Sequence, residues 1–510
     1  GLIMVQLWRI RSINMWLMCL FKKLGHINLL VNLCASVRFI YQGELTVVMQ
    51  ELGRRFYVRS AEIYKGRNVA GFIDWLPPGA QLRLRLIESW LRWFVWSVPD
   101  VYLMDGSTIL PAAVFEASGH LENFTDQVIE CPRCGAIYRV DHLLKVTGGK
   151  AVCPRDGEVL DLTKARPQSL MIEVKVGIGK EGSIAYLRPE TAQNIYINYM
   201  NFRALGFKLP FAIAQVGRSY RNEISPRGLR LREFVQAEIE EFVLPSQLNQ
   251  HPLWDEFKME ELPLYHNGVV ERMAIKDAVD SGLIPNRRLA FWLWREYRWF
   301  RDELGIPEDR IRFYVVPPEE RAFYSGGTLD TELRIPTEDG EEWVEVVGNA
   351  WRTNYDLSRH SKSSGVNMSE GGVVPHVVEP SFGVDRIAAA LIAVHMDNAP
   401  KDRQWPLLRI PRRLAPFDVG IATVRSDLAP IAENVNTMLR RVGLITLKLD
   451  WDSKISAQYA YADLLGIPSV VTIDPETVND NTVTIRDRDT KRQIRVDITQ
   501  LPEKIREFLD

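Results

Sequence analysis

The sequence predicts an α+β protein, with an antiparallel strand pair in the body of the chain and a separate α/β domain at its C-terminus. The first observation is residues 211–243, FAIAQVGRSYRNEISPRGLRLREFVQAEIEEFV, which read as strand, loop, strand. The opening strand, 211–220, is apolar and rich in β-formers. The loop, 221–230, holds Pro226 and Gly228 among arginines, and residues 232–243 alternate with period two. The second observation is the segment from 417 onward, where strand and helix patterns alternate: FDVGIATV, a helix from about 427, LITLKLD, a helix from about 456, then PSVVTI, TVTIRD and QIRVDI. The third is a pair of knuckles, CPRCG at 131–135 and CPRDG at 153–157.

Taken in order, residues 1–48 are rich in Met, Leu, Trp and Cys with basic residues interspersed. Arg9 and Arg11 precede a short apolar run at 13–21, in the manner of a signal peptide, but Lys22 and Lys23 follow at once. This segment is read as a non-native leader, with Met49 a candidate start, or else as an extension helix docking on the body, and it is assigned no role. At 84–94, Leu84, Ile87, Leu91 and Phe94, with Trp90 beside them, have helical spacing, and Pro77, Pro78 and Gly79 mark the turn before. Cys131, Cys134, Cys153 and Asp156 have zinc-ribbon spacing with a carboxylate in the fourth place; the alternative is a knuckle that has lost its metal. Residues 287–304 form an arginine- and aromatic-rich helix that either stacks on RNA or, preferably, buries its aromatic face. Residues 403–416, with their prolines and arginines, read as a linker.

Composition bounds the rest. The chain has 510 residues, 46% of them hydrophobic and 25% charged, enough for several domains with full cores. A net charge of −2 gives no general support for a nucleic-acid partner, so any such site must be a local patch. Five cysteines, three between 131 and 153, point to metal rather than disulfides and to a reducing, cytoplasmic setting. No run of about twenty apolar residues marks a membrane span.

The 232–243 strand carries Phe234, Gln236, Glu238, Glu240 and Phe242 on one face. The other holds Val235, Ala237, Ile239 and Val243, interrupted by Glu241. Carboxylates between phenylalanines make a pocket floor, and Arg221, Arg227, Arg230 and Arg232 lie in the loop above. Such a site suits a substrate with both phosphate and ammonium, with Mg²⁺ bridging phosphate to acid. The plain alternative is an amphipathic hairpin with a solvated charged face.

Three long stretches add a resemblance. RNEISPRGLRLREFVQAEIEEF resembles motif 2 of class II aminoacyl-tRNA synthetases, in the form found in glycyl-tRNA synthetases. LRPETAQNIYINY (187–199) resembles that family's glycine-site segment, with Asn194 where it usually has Gly, and VVEPSFGVDRIAAALI (377–392) resembles its motif 3. The resemblance covers residues 50–505 or so. It implies a class II antiparallel-sheet catalytic core at 49–410, with a zinc-ribbon-like insertion at 128–160 and a further insertion at 244–318. An anticodon-binding domain follows at 411–510. It also implies ATP with Mg²⁺, a structural Zn²⁺, glycine and tRNA(Gly) as partners, no membrane, and a homodimer built on the 84–94 helix. The sequence departs at Phe323, Trp351 and 456–464, where the family has His, Asp and a more basic pattern.

The resemblance places ATP on Arg221, Asn222, Glu223, Leu229, Arg230, Leu231, Arg232, Glu233 and Phe234. Glu345, Val346, Arg352, Gly383, Val384, Asp385 and Arg386 complete that site. Arg221, Glu223 and Arg386 are the catalytic set, and Arg352 serves the triphosphate tail. Glycine falls to Arg139, Glu190, Phe234, Val235, Gln236, Ala237, Glu238, Glu379, Pro380, Ser381, Phe382 and Gly383. The cluster Arg486, Arg488, Lys491, Arg492 and Arg495 offers a basic patch or, on its own, a mixed hairpin surface. Two other functions compete: a catalytically silent, nucleic-acid-binding relative, and another class IIa synthetase.

Overall fold

The computed structural model describes residues 55–178, 183–224, 229–337 and 340–509. The expectations for residues 1–48 and Met49, and for Pro226, Arg227 and Gly228, lie outside them. The unit running from Val58 to Asp510 holds every element below.

Its centre is a nine-stranded sheet. In chain order the strands are β1 (Val101–Met104), β2 (Phe211–Tyr220), β3 (Glu233–Val243), β4 (Glu261–His266), β5 (Val269–Ala274), β6 (Ile311–Val315), β7 (Gly327–Thr337), β8 (Gly340–Thr353) and β9 (His376–Gly383). Across the sheet they lie β5-β4-β6-β7-β8-β9-β3-β2-β1. Neighbours are antiparallel except β4 with β6 and β2 with β1. The strand pair read from the sequence is β2 and β3, in register from Phe211 opposite Phe242 to Tyr220 opposite Glu233.

Helices α1 (Pro77–Trp90), α2 (Ala192–Ile197), α3 (Arg287–Arg298), α4 (Tyr355–Ser364) and α5 (Val384–His395) pack on this sheet and on one another. Phe382 marks one face, its ring 5.6 Å from Trp90, 4.8 Å from Phe94 and 5.9 Å from Trp299. Burying each such ring contributes roughly 1.5–3 kcal/mol. Glu241, the interruption on the apolar face of β3, is buried there because Arg288 and Trp292 of α3 each donate to it at 2.9 Å. The aromatic side of α3 is likewise buried, with Trp292 and Tyr297 inside. The stripe expected on α1 is rotated: Leu82, Leu86, Trp90 and Phe94 are buried, and Leu84 is 59% exposed. An i, i+4 row packs on the sheet, and the turn widens into a π-helix at Leu91–Trp96.

The C-terminal domain is a five-stranded sheet of β10 (Val419–Thr423), β11 (Thr446–Lys448), β12 (Ser469–Ile473), β13 (Thr482–Asp487) and β14 (Gln493–Asp497), ordered β11-β10-β12-β13-β14. Helices α6 (Ala429–Arg441), α7 (Ile455–Leu464) and α8 (Leu501–Glu507) accompany it. Residues 403–416 are a pinned connector rather than a free linker. Arg403 donates to Asp463 at 2.8 Å, as does Trp405, and Arg412 donates to Asp487 at 2.6 Å. Of the expected basic cluster, Arg486 and Arg488 are buried, Arg486 on Asp463 and Arg488 on the Ile410 and Gly466 carbonyls. Arg495 is paired with Asp474 and Glu476. The mixed-surface reading therefore describes this hairpin better than the basic patch.

Candidate active site

Strands β3 and β9 adjoin at mid-sheet, with Glu238 opposite Ser381 and Gln236 opposite Gly383. Period-two alternation turns Gln236, Glu238 and Glu240 of β3 to the face covered by α2, whose Tyr196 hydroxyl donates to Glu240 at 2.6 Å. Glu379 and Ser381 of β9 share that face: Ser381 donates to Glu238 at 2.6 Å, and Gln236 donates to both. The turn before α2 adds Glu190 and Thr191, and Thr191 donates to Glu238.

Five buried carboxylates crowd here: Glu190, Glu238, Glu240, Glu379 and Asp356. Arg352, fully buried, sits among them. It donates to Asp356 at 2.7 Å and Glu379 at 2.6 Å, lies 3.6 Å from Glu190, and stacks 3.6 Å from the Tyr324 ring centroid. Carboxyl groups therefore outnumber the cations that face them. Burial pushes Glu379 up to about 8, even with Arg352 against it. Burial raises Glu238 and, further, Glu240, with Glu190 and Glu379 respectively adding repulsion. Glu190 is the exception: burial acts upward, but His120 and Arg352 outweigh it and hold its carboxyl well below the usual range.

Beside this pocket, Arg221 lies between two rings, its guanidinium carbon 5.3 Å from the Phe124 centroid and 5.2 Å from that of Phe234. Its Nε donates to the Pro189 carbonyl at 3.0 Å, next to Glu190. Glu223 accepts from Arg230 at 2.6 Å, and burial raises its carboxyl. Asn222 is exposed, its amide donating to the Leu170 carbonyl at 2.8 Å. Arg386, at the start of α5, donates to the Glu345 carbonyl at 3.0 Å and stands 3.9 Å from the Glu345 carboxylate. Asp330 of β7 is close by, pushed up to about 8 by burial and by Glu345 and Glu332.

Several expected residues sit elsewhere. Arg352, expected at the triphosphate tail, has its guanidinium among the pocket carboxylates. Asp385 is saturated: it accepts from Trp75 and Arg83 at 2.8 Å and from the Val235 amide at 2.6 Å. It thus staples β3, α1 and α5 together. Val235, Ala237, Pro380 and Phe382 alternate out of phase with Glu238 and Glu379, so their side chains leave the pocket for the opposite face. Val346, Val384 and Leu231 are buried apolar residues. Arg232 is held by the Glu223 and Ala70 carbonyls, and Glu233 pairs with Arg218. Arg139 pairs with Asp126 at 3.2 Å and Asp141 at 2.5 Å, while its Nη1 has no hydrogen-bond partner among the described residues.

Other contributors carried no signal of their own. Arg188, buried, bonds the Arg218 carbonyl at 2.8 Å and both Asn194 and Gln215 at 3.1 Å. A side chain at Gly217 would strike its guanidinium, and one at Gly106 would come within 2.7 Å of Asn194. Asn194 is thus accommodated by the glycine facing it. Asp330 and Phe124 reach the site only through strand pairing and chain packing, although Glu240 follows from the β3 alternation.

The knuckles also close on each other. Cys131, Cys134, Cys153 and Asp156 bring their ligand atoms within 4.8 Å of one another. Each loop has the same turn: the Gly135 amide returns to Cys131 and the Gly157 amide to Cys153, both at 2.9 Å. Both glycines have positive φ, 68° and 76°, which disfavours any side chain there. Three sulfurs and a carboxylate converging at this spacing fit a tetrahedral Zn²⁺.

Residues 178–395 match the family described as tRNA synthetase class II core domain (G, H, P, S and T), and residues 418–508 match Anticodon binding domain. A glycine--tRNA ligase of Pyrococcus furiosus is 35% identical, the alignment covering 90% of this chain and 98% of that protein. The glycine--tRNA ligase of Archaeoglobus fulgidus is 34% identical over 91% of this chain and 97% of its own length. That of Aeropyrum pernix is 32% identical over 90% and 96%.

Proposed function

The chain belongs to the glycine--tRNA ligases, and from that premise we propose which of its residues carry each part of the reaction. The enzyme activates glycine with ATP and joins it to tRNA(Gly). The observation that carries the residue assignment is the excess of buried carboxylate around Arg352. An ammonium entering there relieves the repulsion that burial has built up, and close walls of Tyr196, Thr191 and Ser381 favour an amino acid with no side chain. Glu190, Gln236, Glu238, Glu379 and Ser381 receive glycine's ammonium end. Arg139, with its free Nη1, faces the carboxylate.

That carboxylate attacks the α-phosphorus of ATP, pyrophosphate leaves, and the tRNA 3′-terminal hydroxyl then displaces AMP from the adenylate. Positioning and charge neutralisation do most of this work. Arg221, held flat between two rings, meets the α-phosphate where charge develops. Phe234 stacks on adenine, with Glu223 and Arg230 beside it. Arg386 reaches the far phosphates, and Glu345 with Asp330 supports the Mg²⁺ that accompanies ATP.

Zinc in the knuckle cluster holds the 128–160 insertion, in our reading. We set the catalytic domain at 49–410 and the anticodon-binding domain at 411–510. A homodimer is supported by exposed apolar residues Leu84, Trp96 and Leu103, and sedimentation at a single-chain mass would overturn it. Among the described residues no helix is long and apolar enough to cross a membrane, and we propose a cytoplasmic setting.

The deciding experiment is amino-acid-dependent ATP–pyrophosphate exchange with glycine, alanine, serine and proline. Exchange with glycine alone is expected. Exchange with a larger amino acid would discard the pocket assignment.

A further inference from the structure

Among the described residues, Glu190 is contacted at one oxygen. Gln193 donates to Oε1 at 2.9 Å, and Arg352 and His120 Nε2 approach the same atom at 3.6 and 3.5 Å. Gln193 spends its amide N–H groups on Glu190 and Asp356, so its carbonyl oxygen accepts from His360 Nε2 at 2.8 Å. Oε2 is the oxygen left to face the pocket.

His120 is placed with unusual care for a residue outside the strands. It is buried in a box of Phe115, Phe124 and Phe323, with ring separations of 6.1, 5.5 and 6.2 Å. The turn that delivers it needs Gly119, which has φ +84° and whose Cβ would lie 3.0 Å from the Tyr355 hydroxyl. Helix α4 pins that turn: Tyr355 donates to the Ser118 carbonyl at 3.2 Å and Arg359 to the Ala117 carbonyl at 2.7 Å. The Ser118 hydroxyl lies 2.8 Å from His120 Nδ1 and 3.4 Å from the Phe115 carbonyl. With serine donating to Nδ1, or with both ring nitrogens protonated and serine donating to Phe115, a proton sits on Nε2, the nitrogen that faces Glu190.

We propose that His120 is a positioning residue of the amino-acid site, its Nε2–H fixing Glu190 so that Oε2 is presented to the substrate ammonium. The inference rests on the assignment of Glu190 to glycine. Helix α4 supplies both the brace for this histidine and Asp356, which orients Arg352, so two of the three groups that set Glu190 are held by one element, and Gln193 of α2 is the third. Phe124 joins the halves of the site, because its ring packs on His120 and on Arg221.

The test is glycine-dependent ATP–pyrophosphate exchange by the full-length enzyme carrying His120→Phe, His120→Gln, His120→Asn or Glu190→Gln, each with its melting temperature. Loss of the 3.5 Å polar contact to a charged group predicts that His120→Phe raises the glycine KM about tenfold or more, with the ATP KM within about twofold. Glutamine, whose amide nitrogen falls near Nε2, should restore the glycine KM to within about threefold, whereas asparagine, reaching only the Ser118 side, should not. An unchanged KM in His120→Phe, or glutamine as impaired as asparagine, would reduce His120 to a packing residue. If phenylalanine prevents folding, the glutamine–asparagine contrast decides alone. A Glu190→Gln enzyme with a normal glycine KM would instead remove the pocket assignment itself.

Discussion

Arg221 is held by two ring faces and one carbonyl; among the described residues no carboxylate forms an ion pair with it, although Glu223 is near enough to feel its charge. Its charge is thus available to a phosphate, and its plane is set before substrate arrives. Arg221→Ala should lower exchange by about a hundredfold or more while leaving the melting temperature nearly unchanged. Near-normal exchange would end its assigned role. A second residue reports on the core. Glu296 of α3 is fully buried and accepts from Thr331 at 2.5 Å and Asn349 at 3.1 Å, and burial pushes it up to about 8 from the ordinary 4.5. The folded protein keeps this proton where the unfolded chain has lost it. The associated stability is full below the unfolded value and is lost as pH rises through about 8. Glu296→Gln has no such dependence. Its melting temperature should gain on that of the wild type from pH 5 to pH 9, and a constant gap would show that the group stays ionised.

At the level of elements, the site is assembled by staples between strands and helices. Asp385 of α5 binds α1 and the start of β3, so the adjacent Arg386, proposed to reach phosphate, inherits its position from a carboxylate already spent within the fold. The knuckles are an element of another kind. A small cluster of Ile129, Leu143 and Leu160, flanked by Tyr138, Val140 and Ala151, packs around their cysteines. Without an ion, burial and the neighbouring Cys131, Cys153 and Asp156 push the Cys134 thiol up to about 11, despite the Ala136 amide acting against them. Metal binding must deprotonate these thiols, so zinc affinity should fall as pH is lowered. Metal analysis of the purified protein should find one zinc per chain, lost in Cys153→Ala. Intact cysteines with no zinc would make the cluster a relic.

Over the whole molecule, α1 joins the two domains. Arg83 reaches Asp385 in the catalytic core, and two residues on, Arg85 donates to Asp418 of the C-terminal domain at 2.6 Å. Arg413 extends the seam by pairing with Glu303 at 3.1 Å. These contacts hold the domain matched to anticodon binding against the helix that braces motif 3. Arg85→Ala should therefore slow tRNA charging several-fold while exchange without tRNA stays within about twofold, since only the first depends on where the second domain sits. Equal loss in both assays would point to a folding defect instead.

The β2–β3 pair, the βαβ character of the C-terminal domain and the pairing of the two knuckles were all legible in the sequence. Each is written in local periodicity or short spacing, which the backbone imposes residue by residue. The three long motifs carried the family. Which side chain of a motif works, and upon what, was decided by tertiary structure. Alternation put Ala237 on the face opposite Glu238, but only the pairing of β9 with β3 shows that Glu379 and Ser381 share the Glu238 face while Phe382 does not. Nor could alternation tell that Arg352 belongs to Asp356 and Glu379, or that Asp385 caps an amide 150 residues earlier. The stripe on α1 was misjudged because Leu84 is as apolar as Leu82, and only the sheet beneath selects between them. Sequence specifies which charges exist and which face of a strand they share; their partners come from elements far apart in the chain, and those partners determine which charge is spent within the fold and which remains for substrate.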